Sequence, residues 1–199
     1  MSEHSDPLEE ILKRDDIPRK AKSAIREAFQ KMKFLALHDQ MTGLYNRAYY
    51  DNEIAKMERE REEYPVTVIF LDMDNLKQIN DKYGHEAGDL AIKYVGHALK
   101  NNFRSTDLVA RIGGDEFAAV LPKVKDYDTV ERKIKKIREE IAQYTIAEEL
   151  KLSVSIGVAT GSSRNLAYVI KQADQRMYEE KRGYQSRNKT FIRPLKIEL

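Results

Sequence analysis

The chain has 199 residues, 41% hydrophobic and 34% charged, with 35 basic side chains against 33 acidic ones for a net charge of +2. That is room for one full domain with an appendage, and the near-neutral balance gives no electrostatic reason to expect a nucleic acid partner. The absence of cysteine excludes disulfides, thiolate metal sites and cysteine nucleophiles, and makes the cytoplasm the expected compartment.

Residues 1–38 are charged and free of glycine, and Ile25, Phe29, Met32, Leu35 and Ala36 recur at steps of three and four after Pro18. That spacing predicts a helical lead-in with an apolar stripe, suited to packing on the domain or on a second copy of itself. Its eight basic and seven acidic residues through Lys33 do not make a nucleic-acid arm. The remainder, 39–199, is expected to form the main domain. Pro65 to Asn75, PVTVIFLDMDN, is a β-branched apolar run closed by acids, which predicts a buried strand ending at Asp72. The longest apolar run, Val66 to Leu71 with one threonine, is far shorter than the roughly 20 residues that span a bilayer. No signal peptide opens the chain, so no direct membrane insertion is expected.

After the turn-rich NDKYGHEAGD, the inner positions Leu90, Ala91, Tyr94, Val95, Ala98 and Leu99 predict a helix near Glu86 to Asn102. DLVARI and EFAAVLP bracket Gly-Gly-Asp and read as a β-hairpin. Val130, Ile134, Ile137 and Ile141 predict an amphipathic helix, Leu152 to Thr160 a strand, and Leu166 to Arg182 a helix, with a final strand at Thr190 to Pro194. This order suggests an α+β fold with helices packed on a mixed rather than purely parallel sheet.

Asp72 and Asp74 end the first strand, while Asp115 and Glu116 lie in the hairpin turn. If those strands are neighbours, three or four carboxylates converge beyond one sheet edge. Desolvated and unpaired, they repel by several kcal/mol, which a divalent cation relieves, and hard oxygen ligands suit Mg²⁺ with substrate phosphates. The alternative is that Asp72 caps a helix and the turn acids face water. Lys77, Asn80, His85 and Asp89 lie close in the chain, and Asn or Asp can read a purine edge; His85 also fits an ordinary surface position. Residues Arg176 to Leu199 hold seven basic against three acidic residues, as a triphosphate site needs and as a solvated helix end also would.

HDQMTGLYNRAYY, FLDMDNLKQINDKYGHEAGD, RIGGDEF, SVSIGVAT and ADQRMYEEK stand in this order from about Asp39 to Asn188. The chain thereby resembles the GGDEF domains, the diguanylate cyclases. The resemblance implies a palm-type fold similar to nucleotidyl cyclases, with a mixed or antiparallel central sheet flanked by helices. It implies condensation of two GTP into cyclic di-GMP and two pyrophosphates by a two-fold homodimer. It also implies Mg²⁺, with Mn²⁺ as a substitute, held by Asp72, the main chain of Met73, Asp115 and Glu116. Asn80 and Asp89 are then guanine readers, with His85 beside them. Asn75 to Lys77 and Lys181 would hold phosphates, Gly113 and Gly114 would admit substrate closely, and Asp115 or Glu116 would accept the proton.

Arg104 and Asp107, an Arg-x-x-Asp pair before the motif, resemble the family's inhibitory product site. N-terminal segments of this kind usually receive signals from a sensor. One departure stands out. Relatives often end Lys-x-x-Gly-Arg-Asn, whereas Lys181 is followed by RGYQSRN, so either Arg182 or Arg187 could take the phosphate role. Two other readings are a catalytically silent domain that binds GTP or cyclic di-GMP, and a cyclase making a different cyclic dinucleotide.

Overall fold

A computed structural model describes residues 7–60, 62–146 and 150–189. In chain order it has α1 (Pro7–Lys13), α2 (Arg19–Leu37), α3 (Arg47–Arg59), β1 (Pro65–Met73), α4 (Leu76–Tyr83), α5 (His85–Asn102), β2 (Leu108–Arg111) and β3 (Glu116–Pro122). It continues with α6 (Tyr127–Gln143), β4 (Thr145–Ile146), β5 (Leu150–Lys151), β6 (Val154–Ser162) and α7 (Leu166–Lys189). The chain divides into two compact units, 1–38 and 39–199. In the first, α2 buries none of its residues, and Met32, Phe34 and Leu35 are exposed.

The second unit is built on a four-stranded sheet in the order β2-β3-β1-β6. Every pairing in it is antiparallel, because strands running the same way are always separated by one running against them. Of the mixed or antiparallel sheet expected, the antiparallel form is the one present, apart from a single parallel bridge between Tyr45 and Ala110.

Both faces of the sheet are covered, which is why β1 reads as an unbroken apolar run. Alternate residues of a strand point to opposite faces. Ile69, Leu71 and Met73 pack with Ile79, Val95, Leu99, Ile137 and Ile141 from α4, α5 and α6. Val66, Val68 and Phe70 pack with Tyr50 of α3 and with Leu166, Val169 and Ala173 of α7. Each fully buried Val, Leu, Ile, Phe or Met side chain among them contributes about 1.5–3 kcal/mol.

Two helices in this unit have no counterpart among the predicted elements. For α3 the signal was Asn46, whose side chain accepts from the Tyr49 amide at 2.9 Å, an N-cap. For α4 it was Leu76 and Ile79 at helical spacing, masked by the polar residues around them. What read as a turn between them and α5 is a single residue, Gly84 at φ +86°, a conformation open to glycine. The small β4-β5 hairpin was also not predicted. The expected strand at Thr190 to Pro194 lies outside the described residues.

At Gly157, α7 comes so close to β6 that an added Cβ would lie 2.0 Å from the Ala173 carbonyl oxygen and 2.2 Å from the Met177 amide nitrogen. Backbone cannot yield there as a flexible side chain would. Gly157→Ala is expected to lower stability by about 3 kcal/mol, the upper end for overpacking. Urea unfolding should show a lower midpoint with an unchanged slope.

Candidate functional site

β1 carries Asp72 to its carboxyl end, opposite Glu116 of β3 and Ser155 of β6. The residue is 3% exposed. Its Oδ2 receives a hydrogen bond from the Lys181 Nζ of α7 at 2.5 Å. Its Oδ1 is buried with no partner among the described residues. Burial pushes the Asp72 pKa up to about 6; the Lys181 hydrogen bond pulls it back, and the negative charges of Asp115 and Glu116 push it further. Burial also disfavours the Lys181 ammonium, but the bond to Asp72 and the three surrounding carboxylates outweigh this and raise its pKa. One ammonium against three carboxylates leaves the site with excess negative charge.

Asp74 does not join them. It is buried and accepts from Ser153 Oγ at 2.8 Å and Ser155 Oγ at 2.7 Å, so the convergence of four acids narrows to Asp72, Asp115 and Glu116. Among the described residues no group of three His, Cys, Asp or Glu side chains is already arranged to hold a metal ion. The unpartnered Asp72 Oδ1 beside further carboxylate oxygens nevertheless fits a hard divalent cation that takes its other ligands from phosphate and water.

The Gly-Gly-Asp-Glu turn is held from several sides. Arg111, a residue that motif spacing alone did not single out, donates from Nη2 to the Gly114 carbonyl at 2.7 Å and from Nη1 to Asp39 Oδ2 at 3.2 Å. Arg47 donates to the Ile112 carbonyl at 3.2 Å. The Met73 amide donates to the Asp115 carbonyl at 3.0 Å, tying the turn to the end of β1. Neither turn glycine has a positive φ. A Cβ on Gly113 would lie 2.5 Å from Glu116 Oε2, while Gly114 has open space. Glycine at 113 thus makes room for the Glu116 carboxylate, and only Gly114 leaves free space beside the backbone.

The other expected residues lie around the α4 and α5 starts. Asn80 Oδ1 is buried without a partner among the described residues. It rests where a Cβ on Gly88 would stand, 1.9 Å away, so the missing side chain seats Asn80 against the residue preceding Asp89. Asp89 is half-buried, and Lys77 and His85 are exposed. Asn75 precedes α4 at φ 60°, ψ 21° and makes no capping hydrogen bond to it.

Arg104 and Asp107 lie on the loop before β2. Asp107 is buried, and its Oδ2 accepts from the Arg104 amide at 2.9 Å, closing that turn while Arg104 stays exposed. The Lys133 ammonium sits 4.8 Å from the Phe103 ring centroid, a cation near this pair that sequence spacing did not reveal. Arg182 is exposed; the Arg187 side chain lies outside what the structure describes. No helix among the described residues is long and apolar enough to cross a membrane.

The family model "Diguanylate cyclase, GGDEF domain" matches residues 36–187. The chain belongs to this family. The GGDEF domain is 34% identical over 156 residues to diguanylate cyclase DgcS of Shewanella oneidensis, covering 77% of this chain and 52% of that protein. It is 30% identical over 176 residues to the probable diguanylate cyclase DgcT of Escherichia coli, covering 85% of this chain and 38% of that protein. The chain thus spans about a third to a half of these relatives. Among solved structures, the coiled coil and GGDEF domain of DgcB from Caulobacter crescentus, in complex with c-di-GMP, superposes with a TM-score of 0.72 at 27% identity, covering 81% of this chain and 88% of that one. The family generally uses a divalent metal.

The raised Asp72 pKa has a definite effect on stability. Below about pH 3.8 the folded and unfolded chains both carry the proton, so nothing is lost. Between about 3.8 and 6 only the folded state keeps it, and stability falls as pH rises. Above 6 the loss is constant, at most about 3 kcal/mol. Asp72→Asn should therefore be more stable than the parent above pH 6, by an amount that shrinks toward pH 4 in urea titrations without metal.

Proposed function

We propose that this GGDEF domain is a diguanylate cyclase that condenses two GTP into cyclic di-GMP and two pyrophosphates. The observation that carries the reading is the buried Asp72 carboxylate with its free Oδ1, directly across β1–β3 from Glu116 and beside Asp115. A stable fold has no need of such an arrangement; a phosphate-bound cation does. The site's excess negative charge argues that a cation accompanies the nucleotide. The name of the DgcS relative and the cyclic di-GMP in the DgcB structure support the same chemistry.

In this reading Asp72, Asp115, Glu116 and the Met73 carbonyl hold Mg²⁺, or Mn²⁺ in its place. When bound, the ion lowers the pKa of the attacking hydroxyl and neutralises charge on the phosphates. The amides of residues 75–77 and Lys181 hold the terminal phosphates; Lys181 leaves Asp72 Oδ2 to do so. Asn80, whose Oδ1 lacks a partner, and Asp89 read guanine, with His85 at the rim. Gly114 lets the backbone approach the nucleotide. The ribose 3′-oxygen of one GTP forms a bond to the α-phosphorus of the other. The α–β bridging P–O bond breaks, pyrophosphate leaves with its electron pair, and the hydroxyl proton passes to Asp115 or Glu116; the same transfer with the two nucleotides' roles exchanged closes the ring and releases the second pyrophosphate.

Each domain holds one GTP, so two sites face each other in a two-fold homodimer. The exposed Met32 and Leu35 of α2 give residues 1–38 an apolar surface for holding two copies of the 39–199 domain together, under an upstream sensor. Arg104 and Asp107 bind product and inhibit. The reaction takes place in the cytoplasm, with neither nucleic acid nor membrane as direct partner. One observation favours a second reading, a silent domain that binds GTP or cyclic di-GMP: Lys181 already occupies Asp72 Oδ2.

Purified protein given GTP and Mg²⁺ should form cyclic di-GMP with activity per molecule rising with protein concentration. Asp115→Ala should abolish product, a loss of at least about a thousand-fold. Nucleotide binding without product at any concentration would establish the silent reading instead. In the active protein, Arg104→Ala should relieve inhibition by added cyclic di-GMP, measured from initial rates.

A further inference from the structure

The last turns of α7 face the end of β1 with two side chains spaced i, i+3, and such residues share one helix face. Lys181 reaches Asp72, and three residues on, the Tyr184 hydroxyl accepts a hydrogen bond from Asn75 Nδ2 at 2.8 Å. Asp72 and Asn75 bound the short segment that leads into α4, so one turn of α7 grips both of its ends.

Asn75 holds a left-handed conformation, which asparagine tolerates better than most residues. An asparagine before a helix ordinarily accepts from the amides of the second or third residue. Here no such bond forms, and the carboxamide points to Tyr184 instead. Among the described residues the first α4 amides have no side-chain cap from Asn75. A phenol hydroxyl that accepts one hydrogen bond can still donate its own proton. Among the described residues nothing accepts that proton from Tyr184.

The sequence adds an independent reason. Where relatives often end Lys-x-x-Gly-Arg-Asn, Tyr184 stands at the glycine and Gln185 at the arginine. The cation at that place is missing, and a side chain with a donor stands beside it.

We propose that Tyr184 is a phosphate-binding residue of this domain, oriented by Asn75, whose hydroxyl donates to a terminal phosphate oxygen of the nucleotide and takes over from the absent arginine. This rests on the reading of the site as a GTP site. Asn75 holds the hydroxyl oxygen in place by donating to it, which leaves the hydroxyl proton for a phosphate bound at the α4 start.

The test uses the full chain with Mg²⁺ and two probes, a GTP analogue with a methylene bridge between its α- and β-phosphates, and inorganic pyrophosphate. Tyr184→Phe keeps the ring and removes only the hydroxyl. It should weaken both probes by the same factor of about ten, as expected for a hydrogen bond to a charged group. Asn80→Ala should weaken the analogue alone, which separates loss of a phosphate contact from general loosening. Asn75→Gly keeps the left-handed backbone accessible and removes the orienting amide. Adding Tyr184→Phe to it should then cost much less than ten-fold. Unchanged affinity of Tyr184→Phe for both probes would overturn the proposal while leaving the GTP site in place. Full ten-fold losses that multiply in the double variant would overturn the role of Asn75. A parent chain that binds neither probe would overturn the GTP site, and the proposal with it.

Discussion

The burial of one carboxylate at the end of the central strand is the constraint on which this domain depends. β1 is covered on both faces, so its last residues bring Asp72 to a place that water scarcely reaches, and the pKa rises to about 6. Burial of a charge with incomplete pairing is among the costlier things a fold can do. Lys181 offsets part of it, and Asp115 and Glu116 add to it. A structure with only stability to satisfy would have placed an apolar residue there. The unmet demand for positive charge is the observation on which the proposed cation and anionic substrate rest.

The surroundings serve that arrangement. The turn beside Asp72 is fixed by main-chain bonds and by Arg111, which spans from Gly114 to Asp39, so Glu116 stays opposite Asp72. Gly113 leaves room for the Glu116 carboxylate and Gly88 for the Asn80 carboxamide; both glycines act by what they do not occupy. Asp74, one residue from the same strand end, is satisfied by two serines and contributes order instead of charge. Neighbouring acids thus have opposite roles because their environments differ.

Sheet edges are managed by the same helices. β6 is an edge strand, and charged side chains cover its outward backbone groups. Arg138 donates to the Val154 carbonyl at 2.6 Å, Arg176 to the Val158 carbonyl at 2.5 Å, and the Ile156 amide donates to Glu180 at 2.7 Å. Arg138 also pairs with Glu180 at 2.8 Å, linking α6 to α7. Such cover blocks strand addition along that edge. At the opposite edge, Tyr45 bridges to Ala110, so the segment before α3 shields β2.

The amino-acid sequence by itself determined the elements with strong periodicity: the β1 run, the β2-β3 hairpin, α5, α6 and α7, together with five ordered motifs that identify the family. Local signals suffice there because apolar spacing and turn residues act within a few positions. The sequence did not disclose α3 and α4, whose polar faces hide their few core contacts, or the strand order, which depends on which strands become neighbours. Nor could spacing separate Asp72 from Asp74. Only the tertiary structure decided that Asp72 faces Glu116 and Lys181 while Asp74 meets Ser153 and Ser155, that Arg111 holds the turn, and that Tyr184 meets Asn75 from 109 positions away. Charge, burial and hydrogen bonding are properties of a place in space, and residues distant in the chain create that place.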